Sequence, residues 1–166
     1  RFEQGYLATL VPGAALTHLR IHHLQRPDKP LELHYRAKLH TTLRRTGARG
    51  AELTALFRTR LLQRFAQLPE RAYPLLIRAP IDLHLHLRVK PPPGMALQRK
   101  RRRTTRREGH YQLKQDLRVD HQGHLHLRRH LHVPFGRITP AHYPRFAAFC
   151  RQVDTLEGAA IPLRWQ

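Results

Sequence analysis

Three groups of residues in this chain have the types and spacing to do chemistry. Cys150 is its one cysteine. A reactive thiol needs a lowered pKa, from a nearby histidine or a helix N-terminus, and some exposure. Cys150 instead shares an apolar stripe at helical spacing with Tyr143, Phe146 and Val153, the setting in which a free cysteine packs as a small hydrophobe. The second group is the histidine pairs. His84 and His86, and His124 and His126, with His130 and His132 nearby, each put two imidazoles on the polar face of one strand. Adjacent strands carrying such pairs can assemble three or four nitrogen ligands for Zn²⁺, Cu²⁺ or Ni²⁺, and His84, His86, His124 and His126 are the candidate ligands. Arg88, Lys90 and Arg128 on the same faces disfavour a dication, and no acidic cluster accompanies the pairs to balance it. With ordinary pKa values near 6.5, the same face would gain positive charge below about pH 6 and strengthen anion binding. The plainer reading is an ordinary solvated face.

The third group is the run Gln98 to Arg107, which holds Arg99, Lys100, Arg101, Arg102, Arg103, Arg106 and Arg107. Such a run neutralises phosphates and releases counterions, giving salt-dependent binding without sequence preference. Only Tyr111 lies close by as a stacking aromatic. That favours contact with a nucleic-acid backbone or an acidic glycan over base reading. The same run would serve as a cationic edge that stops strands of different molecules from pairing, or as the complement of an acidic protein surface.

The composition bounds these readings. The chain has 166 residues and a formal net charge of +20, with 26 arginines among its 31 basic residues. That charge attracts polyanions but says nothing about fold. At 40% hydrophobic content it is no disordered polycation. The sequence contains no serine and no asparagine, which excludes a Ser-His-Asp triad and an N-glycosylation acceptor. A single cysteine permits neither an internal disulfide nor a cysteine-based zinc site. No uncharged apolar stretch is long enough to span a membrane, and no cofactor is called for. The sequence opens at Arg1 with neither Met nor a signal-peptide pattern, as a processed product or a piece of something longer would.

The elements that must position these groups show in the hydrophobic period. Strict alternation runs from Leu31 to His40, from Ile81 to Lys90, and from Tyr111 to Val119. A fourth alternating segment, Leu125 to Val133, is broken by Arg129. Alternation of this kind marks half-buried antiparallel strands. Asp120-His121-Gln122-Gly123 predicts a hairpin turn between the last two. Ala15 to Leu24 is a further strand after a turn at Pro12-Gly13, and Pro91-Pro92-Pro93-Gly94 ends the strand before it. The basic run then lies between two strands, as a long loop or an exposed edge. A helix is expected over 140–156, with Thr139-Pro140 as its cap, Gly158 as its stop and Pro144 as an alternative start. Leu53, Leu56, Phe57, Leu61, Phe65 and Leu68 also recur at helical spacing, although Leu53 to Phe57 could be a strand leading into a short helix. The expected fold is mainly β, an antiparallel β-sandwich with one or two short helices, formed by residues 1–166 as one domain.

The order of short motifs carries a resemblance. Pro12-Gly13-Ala14, Pro30-Leu31-Glu32-Leu33, Glu70-Arg71-Ala72-Tyr73-Pro74-Leu75-Leu76-Ile77 and Pro93-Gly94 precede Ile138-Thr139-Pro140-Ala141-His142-Tyr143-Pro144-Arg145-Phe146, which runs on to Phe149 and Val153-Asp154. The closing Pro-x-x-Tyr-x-x-Phe-x-x-Phe pattern is the most specific of these. Over nearly its whole length the chain resembles the C-terminal region of large bacterial proteins that pair a domain of unknown function with a transglutaminase-like core. The resemblance implies a β-sandwich that follows a catalytic Cys-His-Asp core, in an exported or envelope-associated protein. No residue here matches that catalytic set. It therefore implies a non-catalytic accessory domain that docks to other domains or subunits of the same assembly. The alternative from the residues is a polyanion-binding module using the 99–107 segment.

Overall fold

Each alternating segment becomes a strand because side chains two apart share a face, so its leucines can be buried while its polar residues stay wet. The structure, a computed structural model, describes residues 14–29, 32–39, 43–47, 50–53, 57–97 and 101–165. In chain order its elements are β1 (Ala14–His22), β2 (Glu32–Leu39), β3 (Leu43–Arg45), β4 (Gly50–Leu53), α1 (Leu61–Phe65), β5 (Leu75–Ile77), β6 (Ile81–Val89), β7 (Met95–Leu97), β8 (Arg102–Glu108), β9 (Tyr111–Val119), β10 (Leu125–Val133), β11 (Gly136–Ile138), α2 (Tyr143–Gly158) and β12 (Ile161–Trp165). The fold is mainly β and antiparallel, sandwich-like, with a C-terminal helix. Among the described residues no helix is long and apolar enough to cross a membrane.

Two four-stranded sheets organise the molecule, one in the order β6-β10-β9-β8 and the other β3-β4-β12-β7, beside the two-stranded pairs β1-β2 and β11-β5. The first sheet offers its inner face to two different covers. Over one half, Ile81, Leu113, Leu131 and Val133 pack against Tyr143, Phe146, Cys150 and Val153 of α2. Over the other half, Leu125, with Val89, Leu117 and Val119, packs against Leu53, Leu97 and Leu163 of the second sheet. The strand β12 that follows α2 pairs with β4 and β7, so the chain passes directly from one cover to the other.

Several expectations change in detail. Thr139 does not cap the helix. The cap position is His142 and the helix starts at Tyr143, with Pro144 in its first turn, where a missing N–H and a fixed φ cost nothing. Thr139 contributes through its carbonyl, which accepts from the backbone N–H of His142 at 3.1 Å and of Tyr143 at 3.0 Å. Gly158 is the last helical residue, and Ala159 leaves in extended conformation. Of the segment with helical spacing around 53–68, Leu56 lies outside the described residues, which form the end of β4 and a helix of only five residues. The turn at Pro12-Gly13, together with Leu31 and His40, lies outside the described residues. The predicted hairpin forms as expected. The Gly123 N–H donates to the Asp120 carbonyl at 3.1 Å, and Gly123 has φ 79, a conformation costly for any residue with a Cβ.

Candidate functional site

Register across β8, β9, β10 and β6 decides which polar side chains meet on the outer face of the first sheet. The pairings give four cross-strand rows: Arg107, Gln112, His132 and Asp82; Thr105, Lys114, His130 and His84; Arg103, Asp116, Arg128 and His86; and then Arg118, His126 and Arg88. The candidate ligands His84, His86, His124 and His126 therefore do not form one cluster. His84 stacks on His130 at 4.0 Å between ring centroids, whereas His86 and His126 are 6.3 Å apart.

Five of the histidines gather around two aspartates, Asp82 in β6 and Asp120 of the hairpin turn. Asp82 Oδ1 lies 2.8 Å from His130 Nε2, 3.5 Å from His84 Nε2 and 3.6 Å from His132 Nδ1. No acidic cluster is expected beside the pairs; β6 places one carboxylate there, Asp82, on the same face as His84. The His130 hydrogen bond holds the Asp82 carboxyl below the usual carboxylate range. The second group surrounds Asp120, whose Oδ2 lies 2.8 Å from His126 Nε2 and 3.7 Å from His124 Nδ1. Asp120 Oδ1 accepts the backbone N–H groups of Gln122 and His124, each at 2.9 Å, so this carboxylate also builds the hairpin. The His126 contact and those two N–H groups keep its carboxyl ionised well below the usual range.

A pH dependence follows. Asp82, Asp116 and Asp120 all have depressed folded-state pKa values, so below about pH 4 the unfolded chain binds more protons than the folded one. Stability present at neutral pH is therefore lost as pH falls through the acid range. Asp120→Asn keeps an oxygen acceptor for the turn but removes the charge. Its melting temperature should fall less between pH 5 and pH 3 than that of the wild type; equal falls would show that Asp120 contributes nothing to the slope.

The basic run becomes an edge. Arg99 and Lys100 lie outside the described residues. Arg102, Arg103, Arg106 and Arg107 stand in β8, the edge strand of the sheet, and Arg101 directly precedes it. Strand alternation splits the run. Arg103 and Arg107 pair with outer-face positions Asp116 and Gln112, whereas Arg102 and Arg106 pair with inner-face Leu117 and Leu113. Arg101 and Arg103 both reach Asp116 Oδ2, at 3.1 and 3.3 Å. Inward-pointing charge on an edge strand is a known barrier to pairing between molecules.

The inner face holds the arrangement that sequence reasoning missed. Arg129 is no break in β10: it occupies the inward slot between Leu127 and Leu131 and is buried. With Thr104, Gln115 and Leu85 it forms the inner row between the two halves of the core. Its Nη1 donates to Glu157 Oε1 at 3.1 Å and to the Phe57 carbonyl at 3.0 Å, and its Nε to Gln115 Oε1 at 3.0 Å. Glu157 Oε2 in turn accepts the Thr59 backbone N–H at 2.6 Å and its hydroxyl at 2.8 Å. One turn earlier, Asp154 accepts the N–H groups of Leu61 and Leu62 at 2.8 and 3.0 Å. It supplies the cap that α1 lacks from its own sequence. Burial pushes the Glu157 carboxyl up and the Arg129 guanidinium down, and their mutual attraction opposes both shifts. A signal existed, since two acids near a helix C-terminus with no basic residue there run against the helix dipole.

Beside this row an apolar cavity of about 450 Å³ lies between the sheets, lined by Leu87, Leu97, Leu117, Leu127 and Ile161, with Arg101, Arg102, Arg129 and Glu157 as its charged wall. Cys150 is fully buried in the α2 core, and burial pushes its thiol up to about 12, the reverse of what a nucleophile needs.

Comparison with known proteins bears on what this arrangement belongs to. The family described as "Domain of Unknown Function with solved-structure structure (DUF3858)" matches residues 51–163. No curated protein matches the sequence. Among solved structures, the crystal structure of a "putative protease" from Parabacteroides distasonis superposes with a TM-score of 0.50 at 13% identity, over 58% of this chain and 19% of that one. This chain thus matches about a fifth of the length of that protein.

Proposed function

The chain belongs to the DUF3858 family, and from that premise we propose that it is a non-catalytic accessory module of a larger, transglutaminase-like envelope protein, docking to another domain or subunit of the same assembly. The observation that supports this reading is the proportion of the structural match, which places 58% of this chain on only 19% of a much larger protein. The surface agrees with a docking role. Phe135, just before β11, and Tyr73 and Leu76, at β5, are exposed at the β5-β11 pair, with Phe135 at 66% and Tyr73 at 80%. Exposed apolar side chains along one two-stranded pair suit a contact surface. The chemistry of the assembly would then reside in a Cys-His-Asp core elsewhere in the polypeptide.

The outer rows favour a second reading, polyanion binding. Arg88, Arg103, Arg107, Lys114, Arg118 and Arg128 are all exposed there. One experiment separates the two. The chain is titrated with the remainder of its parent polypeptide and, separately, with heparin over a range of salt. Docking predicts a one-to-one complex with the parent that Phe135→Asp weakens at least tenfold. Polyanion binding predicts a steep salt slope for heparin that Arg103→Gln with Arg107→Gln reduces. A parent without a Cys-His-Asp core, or no association with it, overturns the accessory reading.

A further inference from the structure

The Asp82 cluster is more than a set of surface ion pairs. Asp82 and His84 are two residues apart on β6, and His130 and His132 are two residues apart on β10. The antiparallel register sets Asp82 directly opposite His132 and His84 directly opposite His130. Four ligand-type side chains therefore occupy a two-by-two patch of one sheet face. In that patch one ligand atom each from Asp82, His130 and His132 lies within 4.8 Å of the others.

The spacing matches what a metal ion requires. With bonds of about 2.0–2.1 Å, the donor atoms around tetrahedral zinc stand about 3.3 Å apart. The three distances from Asp82 Oδ1 to imidazole nitrogens, 2.8, 3.5 and 3.6 Å, straddle that value. Two neutral imidazoles and one carboxylate also suit a late first-row divalent ion, and the carboxylate offsets part of its charge. Cationic neighbours remain: Lys114 lies opposite His130 on β9, and Arg128 is one row along.

The other histidine group lacks these properties. In the Asp120 group, Oδ1 is engaged by two backbone N–H groups, and Arg88 Nη2 sits 2.8 Å from His124 Nδ1. An arginine at a ligand nitrogen leaves no room for a cation.

We propose that Asp82, His130 and His132 form a binding site for one divalent late transition ion such as Zn²⁺, with His84 beside the fourth coordination position. The site lies on two directly paired strands of the first sheet. It is independent of the β5-β11 surface and of whether the chain docks to a larger protein.

The test is titration of tag-free, chelator-treated protein with Zn²⁺ at pH 7.5 by calorimetry. Co²⁺ in place of Zn²⁺ reports coordination through its visible absorption. The expected result is saturation at one ion per chain, with Asp82→Asn and His132→Gln each weakening binding at least tenfold and abolishing the cobalt band. The control His124→Gln with His126→Gln should bind as the wild type does. All these side chains lie on the sheet's outer face, so melting curves confirm that each variant is folded. Binding that exceeds one ion without saturating, that falls equally in the control, or that survives Asp82→Asn overturns the proposal.

Discussion

Glu157→Ala is expected to destabilise the fold by about 3–5 kcal/mol, the cost of leaving one member of a buried ion pair without its partner. The Arg129 and Glu157 side chains are 3% and 0% exposed and 3.1 Å apart, so the loss leaves the guanidinium largely buried beside the apolar cavity. The substitution also leaves the half-buried Thr59 N–H and hydroxyl without their acceptor, which adds to the loss. Glu157→Gln should cost less, because its amide oxygen can still accept. The pair's net worth is a separate quantity, as removing both charges costs far less than removing one. Arg129→Met with Glu157→Leu should accordingly recover part of the single-variant loss, and the cycle of single and double variants measures the coupling. Urea unfolding at pH 7 reads each value. A loss below about 1 kcal/mol for Glu157→Ala would show that the pair is open to solvent in solution.

What the sequence made legible, and what it did not, follows from the range of each interaction. The faces of β6, β9 and β10 and the α2 stripe were visible because periods of two and 3.6 are local properties. Strands such as β3, β5, β7 and β11 have three residues each, too few to display any period. Arg129 stood in plain view at an inward position of β10, but a charge at an apolar slot resembles an interruption until its partner is known. That partner lies 28 positions away, and Thr59 lies 98 positions from Glu157. The candidate metal ligands show the same limit. The His-x-His pairs were evident, but which pairs face each other depends on the register of β6 against β10, strands separated by β7, β8 and β9. Once register is known, Asp82 joins His130 and His132, and the arginines of β8 divide between its two faces.

The core under α2 sets the other large effect. Phe146→Ala should cost about 3–5 kcal/mol, from lost burial plus the cavity left behind. Phe146 is 1% exposed. Its ring lies 4.8 Å from that of Tyr111 on β9 and 6.3 Å from that of Phe65 on α1, so it joins helix, sheet and the short α1 in one contact. Phe146→Leu keeps most of the volume and should cost under about 1.5 kcal/mol, while Tyr73→Ala, at an exposed position, should stay within about 0.5 kcal/mol. A similar loss for Phe146→Ala and Phe146→Leu would mean that ring stacking, and not volume, sets the cost. Combining Phe146→Ala with Glu157→Ala then asks whether α2 is held as one body. Phe146 lies in the first half of the helix and Glu157 in its last turn, so independent anchoring predicts that the two losses add. Their sum, about 6–10 kcal/mol, falls within the whole stability typical of a domain. If the anchors are independent, the double variant should lose about 6–10 kcal/mol and unfold at a much lower urea concentration than either single variant. If α2 instead detaches as a unit once either anchor is lost, the second substitution adds little, and the double variant melts close to the weaker single one.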